Sequence, residues 1–295
     1  MTLPAPPHAV FFLSRDDSIR ALVIAPAAPD AARLALIVLA AAAGGAVNSI
    51  AGGGTLLTFP ALLGLGVPAI VANATSTVAL WPGTIGSIWG YRGVLAGARA
   101  WAIRFAIPSL VGGLVGSLLL LRTSPETFDF VVPWLVLGAT LLFVVQRPIM
   151  RRLRPEVAPL QTGDDAGGTV SAADTPHPSL AVLLFQFAVA VYGGYFGAGI
   201  GILMLAALGF MGFRSIHRMN GLKNWGGMCI NLVAAITFSV SGLVDWPIAL
   251  AMAAGATVGG YVGSRVAQRV SQERVRQTII AIGFVSALLL MWNRL

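Results

Sequence analysis

Charge is scarce in this sequence: 10% of its 295 residues are charged, whereas 57% are hydrophobic. Soluble domains average about 25% charged residues, and together with a mean hydropathy of +0.83 the deficit excludes a water-soluble domain. Acidic residues are scarcer than basic ones. All eleven (Asp16, Asp17, Asp30, Glu126, Asp129, Glu156, Asp164, Asp165, Asp174, Asp245 and Glu273) fall in tails, loops or the edges of apolar segments, which excludes a carboxylate proton relay inside a span. One cysteine, Cys229, excludes an internal disulfide and a multi-cysteine zinc site. There is no Walker A loop and no His-Glu-x-x-His run, so neither phosphate-loop nor zincin chemistry is expected. A net charge of +8 does not indicate nucleic acid, because the arginines lie between apolar segments rather than on one basic face. The opening residues lack the basic start, apolar run and cleavage site of a secretory signal and read as a loose tail over 1–32.

What remains is a series of apolar segments, near 33–49, 55–66, 68–91, 101–121 and 127–147, then 180–197, 200–211, 215–241, 247–264 and 277–293. The spacing predicts an all-α polytopic membrane protein of two repeats, 33–147 and 180–295. A polar, proline- and glycine-bearing stretch at 148–179 reads as a flexible cytoplasmic linker. The second segment of each half would reach only roughly 18 Å as a helix, too short to cross. Glycine clusters precede both short pieces: Gly52, Gly53 and Gly54 in one half, Gly197, Gly199 and Gly201 in the other. Each half is therefore expected to hold a broken or re-entrant helix pair followed by about three crossings.

A shift of 147 residues aligns Gly52 with Gly199, Gly54 with Gly201 and Asn73 with Asn220. It also aligns Gly112, Gly113, Gly116 and Ser117 with Gly259, Gly260, Gly263 and Ser264. An odd number of crossings per half would make the repeats inverted, an architecture of transporters. Charge points the same way. With the linker inside, thirteen of the nineteen cations are cytoplasmic and both termini face away from the cytoplasm.

Lys223 is the sole lysine and lies well inside its segment. A mid-membrane lysine costs about 2.5 to 3.5 kcal/mol on insertion scales and usually faces a cavity or partner. Without an acidic partner, it suits an anionic ligand; the alternative is that it snorkels to the interface. Asn220, Lys223 and Asn224 share one helix face, and Asn73, Ser76 and Thr77 form the matching stripe, either as ligand groups or as helix-to-helix hydrogen-bond glue. Helices starting near Thr55 and Ile202 would offer free amides and a positive dipole end beside the glycines; close packing is the competing explanation for those glycines. The candidate substrate site is thus Gly52, Gly53, Gly54, Thr55, Asn73, Ser76, Thr77, Gly199, Gly201, Asn220, Lys223 and Asn224. Cys229 reads as packing, His217 as a cytoplasmic boundary marker, and the tryptophans as interfacial anchors.

The run Asn48-Ser49-Ile50-Ala51-Gly52-Gly53-Gly54-Thr55-Leu56-Leu57-Thr58-Phe59-Pro60-Ala61-Leu62-Leu63, followed by Ala72-Asn73-Ala74-Thr75-Ser76, resembles the opening of the TauE/SafE sulfite exporter family. Gly197-Ala198-Gly199-Ile200-Gly201 is similar in the second half, and the resemblance covers roughly 33–293. The second half departs where Ile200 interrupts the glycine run and where Ala207 stands in place of a proline. The resemblance implies a bacterial inner-membrane protein that moves sulfite, sulfoacetate or related organosulfonates, often outward. Rocking of one repeat against the other is the expected motion. Expected partners are the lipid bilayer, a small anionic substrate, a coupling ion (proton or sodium) and a second copy in a homodimer. No cofactor, metal or nucleic acid is expected. The competing classes are an uptake permease for thiosulfate or another inorganic anion, an intramembrane enzyme using His217, Cys229 or Lys223, and a non-transporting subunit of a membrane complex.

Overall fold

The structure is a computed structural model that describes residues 31–50, 52–96, 99–153, 179–210, 216–266 and 272–292. The tail up to residue 30 and the linker over 154–178 lie outside the described residues. All the predicted segments are helices. The first half contains α1 (Ala31–Ile50), α2 (Thr55–Gly64), α3 (Ala69–Ala96), α4 (Arg99–Arg122) and α5 (Pro125–Leu153). The second contains α6 (Leu180–Tyr195), α7 (Ile200–Phe210), α8 (Ile216–Ser241), α9 (Trp246–Val266) and α10 (Gln272–Trp292). The largest departure is α5, which continues to Leu153, past the expected end of the first half at 147. Side-chain caps start several helices where the sequence supplies the donor-seeking oxygen. Ser124 Oγ accepts from Thr127 N at 3.2 Å, Ser179 Oγ from Val182 N at 3.4 Å, and Asp245 Oδ1 from Ile248 N at 3.2 Å.

Among the described residues, five helices are long and apolar enough to cross a membrane: the greater parts of α1, α4, α5, α9 and α10. Much of the exposed apolar surface lies on them, with Leu39, Ile107, Phe130, Leu250 and Leu288 all outward. α3 and α8 are longer than most of these, at 28 and 26 residues, but polar side chains interrupt them. Their polar faces turn inward, where Asn73, Ser76, Asn220, Lys223 and Asn224 are all buried. The chain is thus apolar outside and polar at its centre, as a protein solvated by lipid must be.

The two halves interlock. α4 packs along α6 and α8, α9 packs along α1 and α3, α3 meets α8, and α5 meets α10. Advancing every helix by five positions leaves these pairings unchanged, so each half makes corresponding contacts to the other. The aligned glycines make the closest approaches. A Cβ on Gly112 would lie 2.6 Å from Ala190 Cβ on α6, and one on Gly259 would collide with the Ala42 carbonyl on α1. Gly113 approaches Ile230 of α8, whereas Gly260 approaches Gly83 of α3; residues 83 and 230 are themselves related by the 147-residue shift. These glycines therefore let backbones touch where any side chain would hold the helices apart.

Gly259→Leu is expected to lower the melting temperature of the detergent-solubilised protein sharply by forcing α9 off α1. Gly138 has nothing within 4 Å of its Cβ position, so Gly138→Ala should leave the melt unchanged or raise it by up to about 1 kcal/mol of helix propensity. Differential scanning fluorimetry of the two variants checks both.

Candidate functional site

Each half opens with a helical hairpin that reverses at glycine. Gly52 takes φ +77°, and its N–H closes the end of α1 on the Val47 and Asn48 carbonyls at 3.2 and 3.1 Å. This left-handed helix stop is open to glycine at little cost. α2 then returns antiparallel to α1, placing Thr58 beside Gly44 and Gly54 beside Asn48. Gly197 and Gly199, with φ of +81° and +78°, do the same between α6 and α7. The Tyr192 hydroxyl donates to the Ala198 carbonyl at 2.8 Å and braces that turn. The two tips meet: a Cβ on Gly52 would lie 2.6 Å from Gly201 Cα. Phe59 of α2 stands edge-on to Phe196, with ring centroids 5.4 Å apart.

The tips are held by side chains from the opposite half. A helix end buried within the protein leaves its last carbonyls in need of partners that solvent cannot supply. Asn73 of α3 donates through Nδ2 to the carbonyl of Tyr195, the last residue of α6, at 2.9 Å. Lys223 of α8 donates through Nζ to the carbonyls of Ser49 and Ile50, the last of α1, at 3.3 and 3.4 Å. The helix-end dipole offsets about half a unit of the charge this nitrogen carries when protonated. Both distances exceed the usual range of about 2.7 to 3.2 Å, so the carbonyls compensate the charge only in part. Lys223 is 2% exposed; its ammonium points inward to α1 and does not snorkel.

The two polar stripes differ in how fully they are bonded. In the first half, Ser76 Oγ and Thr58 Oγ1 share a bond of 2.6 Å, and Thr77 Oγ1 donates to the Asn73 carbonyl at 2.9 Å, leaving only Asn73 Oδ1 without a partner. In the second half, Asn220 Oδ1 and Asn224 Nδ2 are buried and unpartnered, as is Ser49 Oγ beside the Lys223 contact. The first stripe is closed protein structure. The second presents Lys223 Nζ, held by two long carbonyl contacts, and an unpartnered amide N–H on Asn224; these donors match the acceptor oxygens of a small oxyanion, whereas Asn220 Oδ1, itself an acceptor, does not.

Not every candidate residue faces open space. The Cβ position of Gly53 is filled by the Phe143 ring and that of Gly54 by the Gly44 carbonyl, so both glycines have a packing reason in this conformation. Thr55 begins α2 and is partly exposed. Gly199 is needed for its backbone angle, and Gly201 for the contact with Gly52. Ser49, Thr58 and Tyr195 belong to the same centre but were not among the sequence candidates. Cys229 is buried in apolar packing, and the His217 side chain lies outside the described residues. Of the tryptophans, Trp89, Trp134, Trp246 and Trp292 are exposed as anchors would be, whereas Trp101 is buried and Trp225 donates to the Ala102 carbonyl at 2.9 Å.

A family model described as Sulfite exporter TauE/SafE matches residues 36–290. A Haemophilus influenzae protein named "Probable membrane transporter protein" is 24% identical over 84% of this chain and 90% of its own. One from Sinorhizobium sp, "Probable membrane transporter protein ORF9", is 26% identical over 88% of this chain and 92% of its own. "Probable membrane transporter protein YfcA" of Escherichia coli K12 is 26% identical over 88% of this chain and 90% of its own. No solved structure matches.

The different bonding of the stripes separates two asparagines. Asn73→Leu should lower the thermal stability of the purified protein by about 1 to 3 kcal/mol, the cost of orphaning the Tyr195 carbonyl. Asn220→Leu removes an oxygen that has no partner and should melt within about 0.5 kcal/mol of the parent. Equal melting temperatures for the two variants would refute the distinction.

Proposed function

The chain belongs to the TauE/SafE sulfite exporter family, and from this we propose that it is a secondary transporter or facilitator of small sulfur-containing anions. Sulfite, sulfoacetate and other organosulfonates are the substrates we favour, moved outward across the bacterial inner membrane. It is a multi-pass membrane transporter; anion class, direction and site are our reading. The observation that carries it is the buried Lys223, 2% exposed and held by two long contacts to carbonyls, with the donors Asn224 Nδ2 and Ser49 Oγ unpartnered beside it. A sulfonate or sulfite group carries negative charge and several acceptor oxygens, which the ammonium, the Asn224 amide and the serine hydroxyl complement. The inverted arrangement of the repeats, with the linker cytoplasmic and both termini outside, completes the reading.

Reconstituted protein should take up labelled sulfite, sulfoacetate or thiosulfate faster than empty vesicles. Lys223→Met should abolish that uptake while the protein still elutes as a folded species. Saturating anion, at about 100 times its Kd, should stabilise the parent by about 2.7 kcal/mol and the variant not at all. Unchanged anion stabilisation in Lys223→Met would remove the lysine from the site. Topology is tested separately. In a Cys229→Ser background, a cysteine at position 5 should react with a membrane-impermeant maleimide in spheroplasts, and one at position 170 should react only after lysis; the reverse pattern would refute the orientation.

A further inference from the structure

Helices α1 to α4 and α6 to α8 contain no aspartate or glutamate. Among the described residues, Glu126 and Asp129 lie near the start of α5, Asp245 just before α9, and Glu273 in the first turn of α10. Lys223 has the Ser49 and Ile50 carbonyls as its partners and no carboxylate. The other titratable groups on the helices packed around it offer no negative charge near neutral pH. α6 carries Tyr192 and Tyr195, whose hydroxyls bond the Ala198 carbonyl and Thr123 Oγ1. α8 itself carries Cys229, His217 and Arg218; α1, α3 and α4 carry Arg33, Tyr91, Arg92, Arg99, Arg104 and Arg122; α7 carries none.

The helix end supplies about half a unit of negative charge, and the remainder is balanced in only two ways: an anion arrives or a proton leaves. Lysine can do the second, because unlike arginine it gives up its proton readily when buried. Resting on the anion-transport reading, we infer that Lys223 carries the coupling ion, a proton, and that each anion travels with one proton. On the loading side, the neutral amine takes a proton from water as the anion binds. On the release side, the ammonium returns that proton to water as the anion leaves, and the amine resumes its place at the end of α1. No other bond forms or breaks. The carbonyl end of a broken helix, which in other such transporters coordinates a free cation, is here occupied by a cation tethered to the chain.

The test uses proteoliposomes containing a trapped pH indicator, with labelled thiosulfate and labelled sulfoacetate as probes. Both are fully ionised near neutral pH, unlike sulfite, which itself takes up a proton in that range. Net entry of either anion should acidify the interior at a ratio near one proton per anion and should accelerate when the outside is made acidic. Lys223→Arg, which keeps the charge permanently, should retain exchange of internal for external anion but lose net uptake. Anion entry by the parent without interior acidification, or entry that requires sodium instead, would overturn the inference and leave the transport reading standing. Absence of both entry and exchange would bring down the transport reading, and this inference with it. The parent's proton-to-anion ratio decides the matter even if Lys223→Arg does not fold.

Discussion

A helix end buried inside a protein leaves carbonyl groups that solvent cannot reach and that other groups of the protein must satisfy. This protein contains two such ends, those of α1 and α6, and much of its centre is the answer to them. The long helices α3 and α8 forgo the hydropathy of a lipid-facing span because they carry the donors that reach across to the opposite half. Asn73 answers one end neutrally. Lys223 answers the other with a group that can carry charge, so the second end is held by an ionisable side chain where the first is held by a neutral amide. Because Lys223 aligns with Ser76 and Asn73 with Asn220, the halves solve one problem with residues one turn apart and of different chemistry.

The sequence was informative wherever scarcity or period marked a feature. Ten helices, the short second member of each hairpin and the glycine breaks follow from run length and from glycine placement, both local properties. Lys223 stood out because no other lysine exists to dilute it. The 147-residue shift aligned Gly112, Gly113 and Gly116 with Gly259, Gly260 and Gly263, and those two sets do make matching contacts with opposite halves. The bonds that define the centre were not legible. Asn73 meets a residue 122 positions away and Lys223 one 174 positions away, through backbone atoms that have no side-chain identity to read. Thr58 escaped notice because its partner, Ser76, comes from a different helix, so no single-helix spacing connects them. Gly53 and Gly54 suggested backbone exposed to a ligand, whereas each accommodates a neighbour, Phe143 or the Gly44 carbonyl. Close approach is one signature with two causes, and the sequence records only the signature.

The bonding of the stripes also departs from the near-symmetry of the halves. Thr58 and Ser76 consume one another, and Thr77 returns to its own helix, so the first stripe has little left to offer a ligand. The second half holds its asparagines apart from such partners and places the cation between them on one face.

The interlocking of α4 with α6 and of α9 with α1 has a consequence for how the protein is made. Neither half can complete itself as it leaves the ribosome: the glycine face of α4 has no companion until α6 is synthesised, and α1 must wait for α9, the last helix but one. At bacterial elongation rates of about 5 to 20 residues per second, that wait is on the order of ten to forty seconds. Throughout it, a helix with its glycine-lined seam unfilled sits beside the insertion machinery. The newborn chain therefore has a waiting period set by its topology, and a truncation anywhere before α9 leaves the first helix with α2 and α3 but without its most extensive partner.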